Sequence, residues 1–192
     1  SFKHEDQSKT NNDIGIGTDG KPVNMDLWNA SIINENEITL GAFTGCGGDR
    51  GYVGKIKDGK IQGKIPAYIK KAGYEEFYKV TSLEYTFFNY EDLEIAPEIP
   101  SDVTNMGETF KKCTNLATAP EIPSNVTIMS ETFCGCENLT GTVVINATTL
   151  NHMYDTFAGT VKPIVLKGTS TYLEKLAATA TNGNVTVQTT SE

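Results

Sequence analysis

The stretch VTNMGETFKKCTNLATAPEIPSNVTIMSETFCGCENL, from Val103 to Leu139, states one phrase and then begins it again. Val-Thr-x-Met leads to Thr-Phe, then to a cysteine, then to Asn-Leu, and closes on Ile-Pro. Working outward, Thr109-Phe110 and Thr132-Phe133 are preceded by Thr86-Phe87 and followed by Thr156-Phe157, at spacings of 23, 23 and 24 residues. Leu83, Met106, Met129 and Met153 keep this phase, as do Leu93, Leu116 and Leu139. Ile99-Pro100 returns as Ile122-Pro123, and again as Ile145-Asn146 without the proline. Apolar residues in fixed phase at a period in the twenties mark a repeat chain, in which each unit is too small to bury its own apolar side and neighbours share one core. This predicts a mainly β protein with short helices, built as a short solenoid. Each repeat should carry two short strands, near Val-Thr-x-Met and near the Leu-to-Ile-Pro piece, with the proline ending the second because it has no N–H to donate.

The flanks read as caps. Residues 1–13 are polar and predict a disordered tether. Residues 14–62 predict a β-hairpin N-terminal cap, with turns at Asp19-Gly20 and Asp58-Gly59 and Trp28, the only tryptophan, as its buried anchor. The repeats occupy 63–166, about four turns, with an insertion at 67–79. That insertion is rich in helix formers and sets Tyr74 and Phe77 three residues apart, beside Tyr78, which predicts a short helix over the flank. Residues 167–192 predict a helix–strand C-terminal cap, with Ser170 or Thr171 as N-cap and Glu174 completing a capping box.

The wording of the repeat, Val-Thr-x-Met-x-x-Thr-Phe-x-x-Cys-x-x-Leu through Ile-Pro, resembles the leucine-rich repeats of BspA-like bacterial surface proteins. The resemblance covers about Gly63 to Leu166, and this chain departs from the family in placing Thr before Phe and Met for Ile. It implies a right-handed leucine-rich-repeat solenoid that is exported and surface-exposed and acts in adhesion or binding, without shared catalytic residues.

Composition sets bounds. The formal charge of −8 is carried entirely by residues 81–192, which hold 5 basic and 13 acidic side chains against 11 of each in 1–80. A nucleic-acid or anionic-membrane partner does not fit an acidic repeat body. No run of about 18 apolar residues spans a membrane, and the start of the chain reads as one from which an export signal has been removed.

Candidate chemistry is sparse. Cys113 and Cys136 hold one repeat position and predict small buried apolar residues; Cys134 and Cys46 leave a disulfide open in an oxidising compartment. Glu108, Glu131 and Asp155 are repeat equivalents, with Tyr85 at the same place in the first repeat. They read as a solvated acidic face, or as a column for a cationic partner. The Thr86, Thr109, Thr132 and Thr156 column predicts hydrogen bonds from repeat to repeat. The segment GGDRGYVGKI fails as a phosphate loop because its glycine spacing is wrong and Ile56 follows the lysine. These features point away from an enzyme, a cofactor or a metal. They point to a monomeric, non-catalytic extracellular binding or adhesion module for a protein or glycan ligand, host-derived ligands included. Its candidate contacts are Tyr85, Glu108, Glu131 and Asp155, with Tyr74, Phe77 and Tyr78 on the insertion. A surface spacer and a carbohydrate-binding module are the alternatives.

Overall fold

A computed structural model describes residues 11–41 and 50–188. The chain is mainly β, with one short α-helix among the described residues. In order it forms β1 (Ile14–Ile16), β2 (Pro22–Val23), a 3-10 turn (Met25–Leu27), β3 (Ala30–Asn34), β4 (Glu37–Leu40), β5 (Tyr68–Lys70), β6 (Tyr78–Ser82), β7 (Gly141–Val144), β8 (Ile164–Lys167), α1 (Leu173–Ala177) and β9 (Val185–Val187).

The N-terminal strands join a six-stranded sheet of order β2-β1-β5-β6-β4-β3. All its pairs are antiparallel except β4 with β6. Two of the strands, β5 and β6, come from the segment 67–82, so the sheet runs across position 62 into the repeats. The Asp58-Gly59 turn has both residues at positive φ (52° and 75°) between paired Lys57 and Lys60, the two-residue hairpin its sequence calls for. Asn11 and Asp13 are anchored: the Asn11 N–H donates to Asp26 Oδ1 at 2.9 Å, and Asp13 pairs with Lys71 at 2.7 Å.

Two local expectations are corrected. The helix expected over 67–79 is a β-hairpin instead, with β5 and β6 paired through Ile69 and Tyr78 and the chain reversing at Lys71–Tyr74 around Gly73, φ 84°. A left-handed glycine interrupts any helix there, and Ile69 finds a core position in the sheet. The capping box before α1 does not form. Ser170 Oγ instead accepts the N–H of Tyr172, and the helix begins at Leu173 with no side-chain cap.

Successive repeats lie in parallel register. Ser82, Asn105, Ile128 and His152 bridge in sequence, as do Ile95 with Thr118 and Ile122 with Ile145. Between these bridges the predicted pairs of strands shrink to single residues, because the chain turns at once. Left-handed residues recur at Tyr85, Glu108, Glu131 and Asp155 (φ 51–59°), and four positions later at Asn89, Lys112, Gly135 and Gly159. These bends keep every second N–H aimed at the next repeat: Leu83, Tyr85, Phe87 and Asn89 donate to the carbonyls of Asn105, Gly107, Thr109 and Lys111. The intervening N–H groups of Thr86, Phe88 and Tyr90 close local turns onto carbonyls three residues back. Every backbone donor on this path therefore has a partner, as burial demands.

Identical side chains then meet one repeat apart. Phe87, Phe110, Phe133 and Phe157 are fully buried and stack with centroids 5.4, 5.7 and 5.5 Å apart and planes within 16° of parallel. Strands repeat at ~4.8 Å, so the rings slide sideways by about 2–3 Å into the offset geometry that aromatic faces prefer. The fully buried threonines donate to carbonyls of the preceding turn of chain: Thr86 to Leu40 at 3.0 Å, and Thr109, Thr132 and Thr156 to Leu83, Met106 and Met129 at 2.8 Å each. Trp28, 2% exposed, closes the open end of the phenylalanine column, edge-on to Phe87 at 6.1 Å and to Tyr52 at 5.1 Å. At the other end β7, β8 and β9 pair in parallel, and Leu173 and Leu176 of α1 bury beside them.

Phe110→Ala should therefore lower stability in urea unfolding by about 3–5 kcal/mol, since both ring neighbours lose contact across a cavity that the flanking backbone cannot close. Phe77→Ala, at a 46% exposed position, should change it by less than about 0.5 kcal/mol.

Candidate binding face

The repeat turns after each Thr-x-x bridge position project side chains outward in columns. Tyr85, Glu108 and Glu131 come together there. The Tyr85 hydroxyl donates to Glu108 Oε1 at 2.8 Å, and Lys111 reaches both Glu108 (3.3 Å) and Glu131. The hydrogen bond to Glu108, with burial second, pushes the Tyr85 phenol up to about 12, so it stays protonated as the donor. Burial pulls the Lys111 ammonium down, but Glu131 and Glu108 more than offset it and leave it raised. The acidic column is thus bridged by a cation from its own repeat. Asp155 is exposed and joins no ion pair among the described residues.

Tyr74 and Phe77 stand out on the β5–β6 hairpin at 49% and 46% exposure, and Tyr74 packs edge-on to Tyr78 at 6.0 Å. They form a group separate from the acidic column in the chain.

The position just before the acidic column carries residues that the repeat pattern passes over: Glu84, Gly107, Ser130 and Tyr154. Tyr154 is 59% exposed, the most exposed large hydrophobic side chain among the described residues. Glu84 lies in a groove of about 370 Å³ that crosses from β3 over β4 and β6 onto the first repeats. Its floor is a row of laterally paired residues, Ser31, Thr39, Ser82, Asn105 and Ile128. Gly107 packs close to this floor, since a Cβ there would lie 3.1 Å from Asn105 Oδ1, 3.7 Å from Ile128 and 3.8 Å from Glu84 Oε1. Burial, and then Glu108, raise the Glu84 carboxyl above its ordinary 4.5. The only signal for it in sequence is a break of phase: an acid where later repeats place Gly, Ser and Tyr.

The thiols behave as packing. Cys113 and Cys136 are buried one repeat apart, donating to the carbonyls of Phe87 and Phe110 at 3.0 and 3.1 Å. Burial pushes the Cys113 thiol up to about 12 and raises the Cys136 thiol well above its ordinary value, which leaves neither as a thiolate at neutral pH. The possible partner of Cys134, Cys46, lies outside the described residues. No described helix is long and apolar enough to cross a membrane.

Among solved structures the chain is similar to the crystal structure of a leucine-rich repeat protein from Bacteroides ovatus ATCC 8483, with a TM-score of 0.53 at 18% identity. The match covers 85% of this chain and 40% of that one, so this chain spans well under half that protein's length. It establishes a leucine-rich-repeat-like fold. Neither a family model nor a curated protein matches the sequence.

Lys111→Met leaves Glu108 and Glu131 facing each other one repeat apart. With all three side chains about 20% exposed, the expected loss lies between the surface and buried limits, about 1–3 kcal/mol in low-salt urea unfolding. Adding Glu131→Gln should recover most of it. For Glu84 the sign runs the other way. A folded carboxyl held above its unfolded value keeps its proton longer in the native state, so its contribution falls as pH rises from about 4.5 through the raised value. Glu84→Gln should match the wild type in Tm at about pH 4 and exceed it at about pH 7.

Proposed function

We propose that this chain is a non-catalytic binding module of a bacterial cell-surface protein, exported and acting in adhesion as a monomeric, short right-handed solenoid of BspA-like repeats. The observation that carries the reading is the outward-facing columns held in register by the backbone itself. Thr104 and Thr127 each donate to the threonine carbonyl of the preceding repeat, at 3.2 and 3.3 Å. The Asn105 and Ile128 N–H groups donate to those same carbonyls, at 3.1 and 3.2 Å. Side chains mounted on such a frame lose little further freedom when a partner docks, which is the thermodynamic advantage of a preorganised surface. The leucine-rich-repeat fold and the wording of the repeats support the same reading, as do the protonated, buried thiols, which suit packing and not chemistry.

Binding to glycan and host-matrix protein arrays tests this, with the wild type beside two double variants of exposed residues. The expected outcome is a saturable protein or glycan ligand that Tyr154→Ser/Asp155→Ala loses and Tyr74→Ser/Phe77→Ser keeps, with Tm unchanged in both. Loss in the hairpin variant alone would transfer the site to β5–β6. Absence of any saturable ligand would overturn the binding reading in favour of a spacer.

A further inference from the structure

We propose that the groove between β3 and the first repeats receives a basic side chain, lysine or arginine, from a protein partner, with Glu84 as its counter-ion. This names a partner chemistry for the binding face and so rests on the function proposed above.

Three observations converge on it. First, the groove carries uncompensated negative charge. Glu37 and Glu84 both line it, and no lysine or arginine does. Glu37 accepts a hydrogen bond from Asn34, whereas Glu84 forms neither a side-chain hydrogen bond nor an ion pair among the described residues. Its neighbour Glu108 is already held by Tyr85 and Lys111, so that lysine is committed elsewhere. Second, part of the lining is apolar, as a long stem requires. Ile32, Ile33 and Ile128 line the groove, and Ile33 is 49% exposed. Lysine and arginine combine an aliphatic stem with a charged head, and they place the two in such mixed surroundings. Third, the space is suitable. A groove of about 370 Å³ falls at the small end of ligand-sized cavities, and Gly107 beside Glu84 adds no side chain that would crowd the carboxylate.

The charge state agrees with this. Partial burial, and then the nearby Glu108 carboxylate, raise the Glu84 carboxyl above its ordinary value, and a docked ammonium or guanidinium would supply the missing compensation. Phosphate or another anion would meet two carboxylates instead. A neutral sugar would find the Thr39 and Ser82 hydroxyls and the Asn105 amide on the floor but would leave Glu84 without a counter-ion.

Amide chemical-shift titration of the full chain decides the matter, with Nα-acetyl-lysine amide, Nα-acetyl-arginine amide, uncharged Nα-acetyl-norleucine amide and an N-acetylglucosamine oligomer as probes. The two cations should give saturable shifts centred on Glu84, Asn105 and Ile128, and norleucine and the oligosaccharide should not. Glu84→Gln, which keeps the shape, should weaken the cations by about tenfold, in line with loss of one charge-assisted hydrogen bond. Glu174→Gln on α1 should change nothing. Equal shifts from norleucine would reduce the groove to an apolar cleft and overturn the proposal. Stronger shifts from the sugar, cation shifts scattered over every acidic surface, or no saturable shifts at all would overturn it as well. A ligand found on the arrays whose binding survives Glu84→Gln would leave the binding module standing and remove only this assignment. A groove that binds cations while the arrays stay blank would do the reverse.

Discussion

The structure depends on one backbone device, an N–H that points along the stack of repeats and finds a carbonyl on the next. Leu83, Tyr85, Phe87 and Asn89 donate in this way, and Met106, Glu108, Phe110 and Lys112 do the same one repeat later. Alternation is possible only if the chain bends left-handedly at two places per repeat. At Tyr85, Glu108, Glu131 and Asp155 that bend is made by residues with a Cβ, for which the left-handed region costs about 1–2 kcal/mol. The cost is tolerated because each bend aligns two backbone hydrogen bonds and one buried threonine bond with the neighbouring repeat. Each such bond contributes about 0.5–1.5 kcal/mol net, and leaving a buried donor unmet costs more.

The same register decides what can be buried. A side chain at a given phase meets its own equivalent one repeat away, so the core is sorted into columns of one type: phenylalanine on phenylalanine, cysteine on cysteine, threonine on carbonyl. Flat rings tolerate this by sliding into offset stacks. Threonine tolerates it because its hydroxyl has a carbonyl of the preceding turn within 3.0 Å. The two ends of a column need a different solution. Trp28 meets the first ring edge-on and Tyr52 meets it at a tilt, so the cap breaks the repeat geometry at the place where no further repeat follows.

Much of this was legible in the residues. A polar Thr beside Phe in a buried phase, repeated four times, has few physical solutions, and hydrogen bonding between repeats is the one observed. The Asp58-Gly59 turn carried its own φ requirement. The left-handed bends were harder to see, because Tyr, Glu, Lys and Asp fill most of them, and only Asn89, Gly135 and Gly159 carried the usual mark. The insertion misled for a related reason. Lys70, Lys71, Ala72, Glu75 and Glu76 favour a helix by intrinsic propensity, but Gly73 and the pairing of Ile69 with β1 override it, as tertiary context overrides a weak local preference. The tether and the cysteine-bearing loop that holds Cys46 fall mainly outside the described residues.

For the candidate site, repetition both revealed and concealed. It picked out Glu108, Glu131 and Asp155 because they recur, and recurrence is what a structural constraint produces. Two of the three turn out to be bound up with Lys111 inside the repeat frame. Glu84 and Tyr154 escaped notice because they do not recur. Yet a position that varies while its backbone stays fixed is free of the constraint that the stack imposes on its neighbours. On a repeat protein the structural residues are those that keep phase, and the departures from phase, Glu84 beside β3 and β4 and Tyr154 in the last repeat, can change without disturbing the frame beneath.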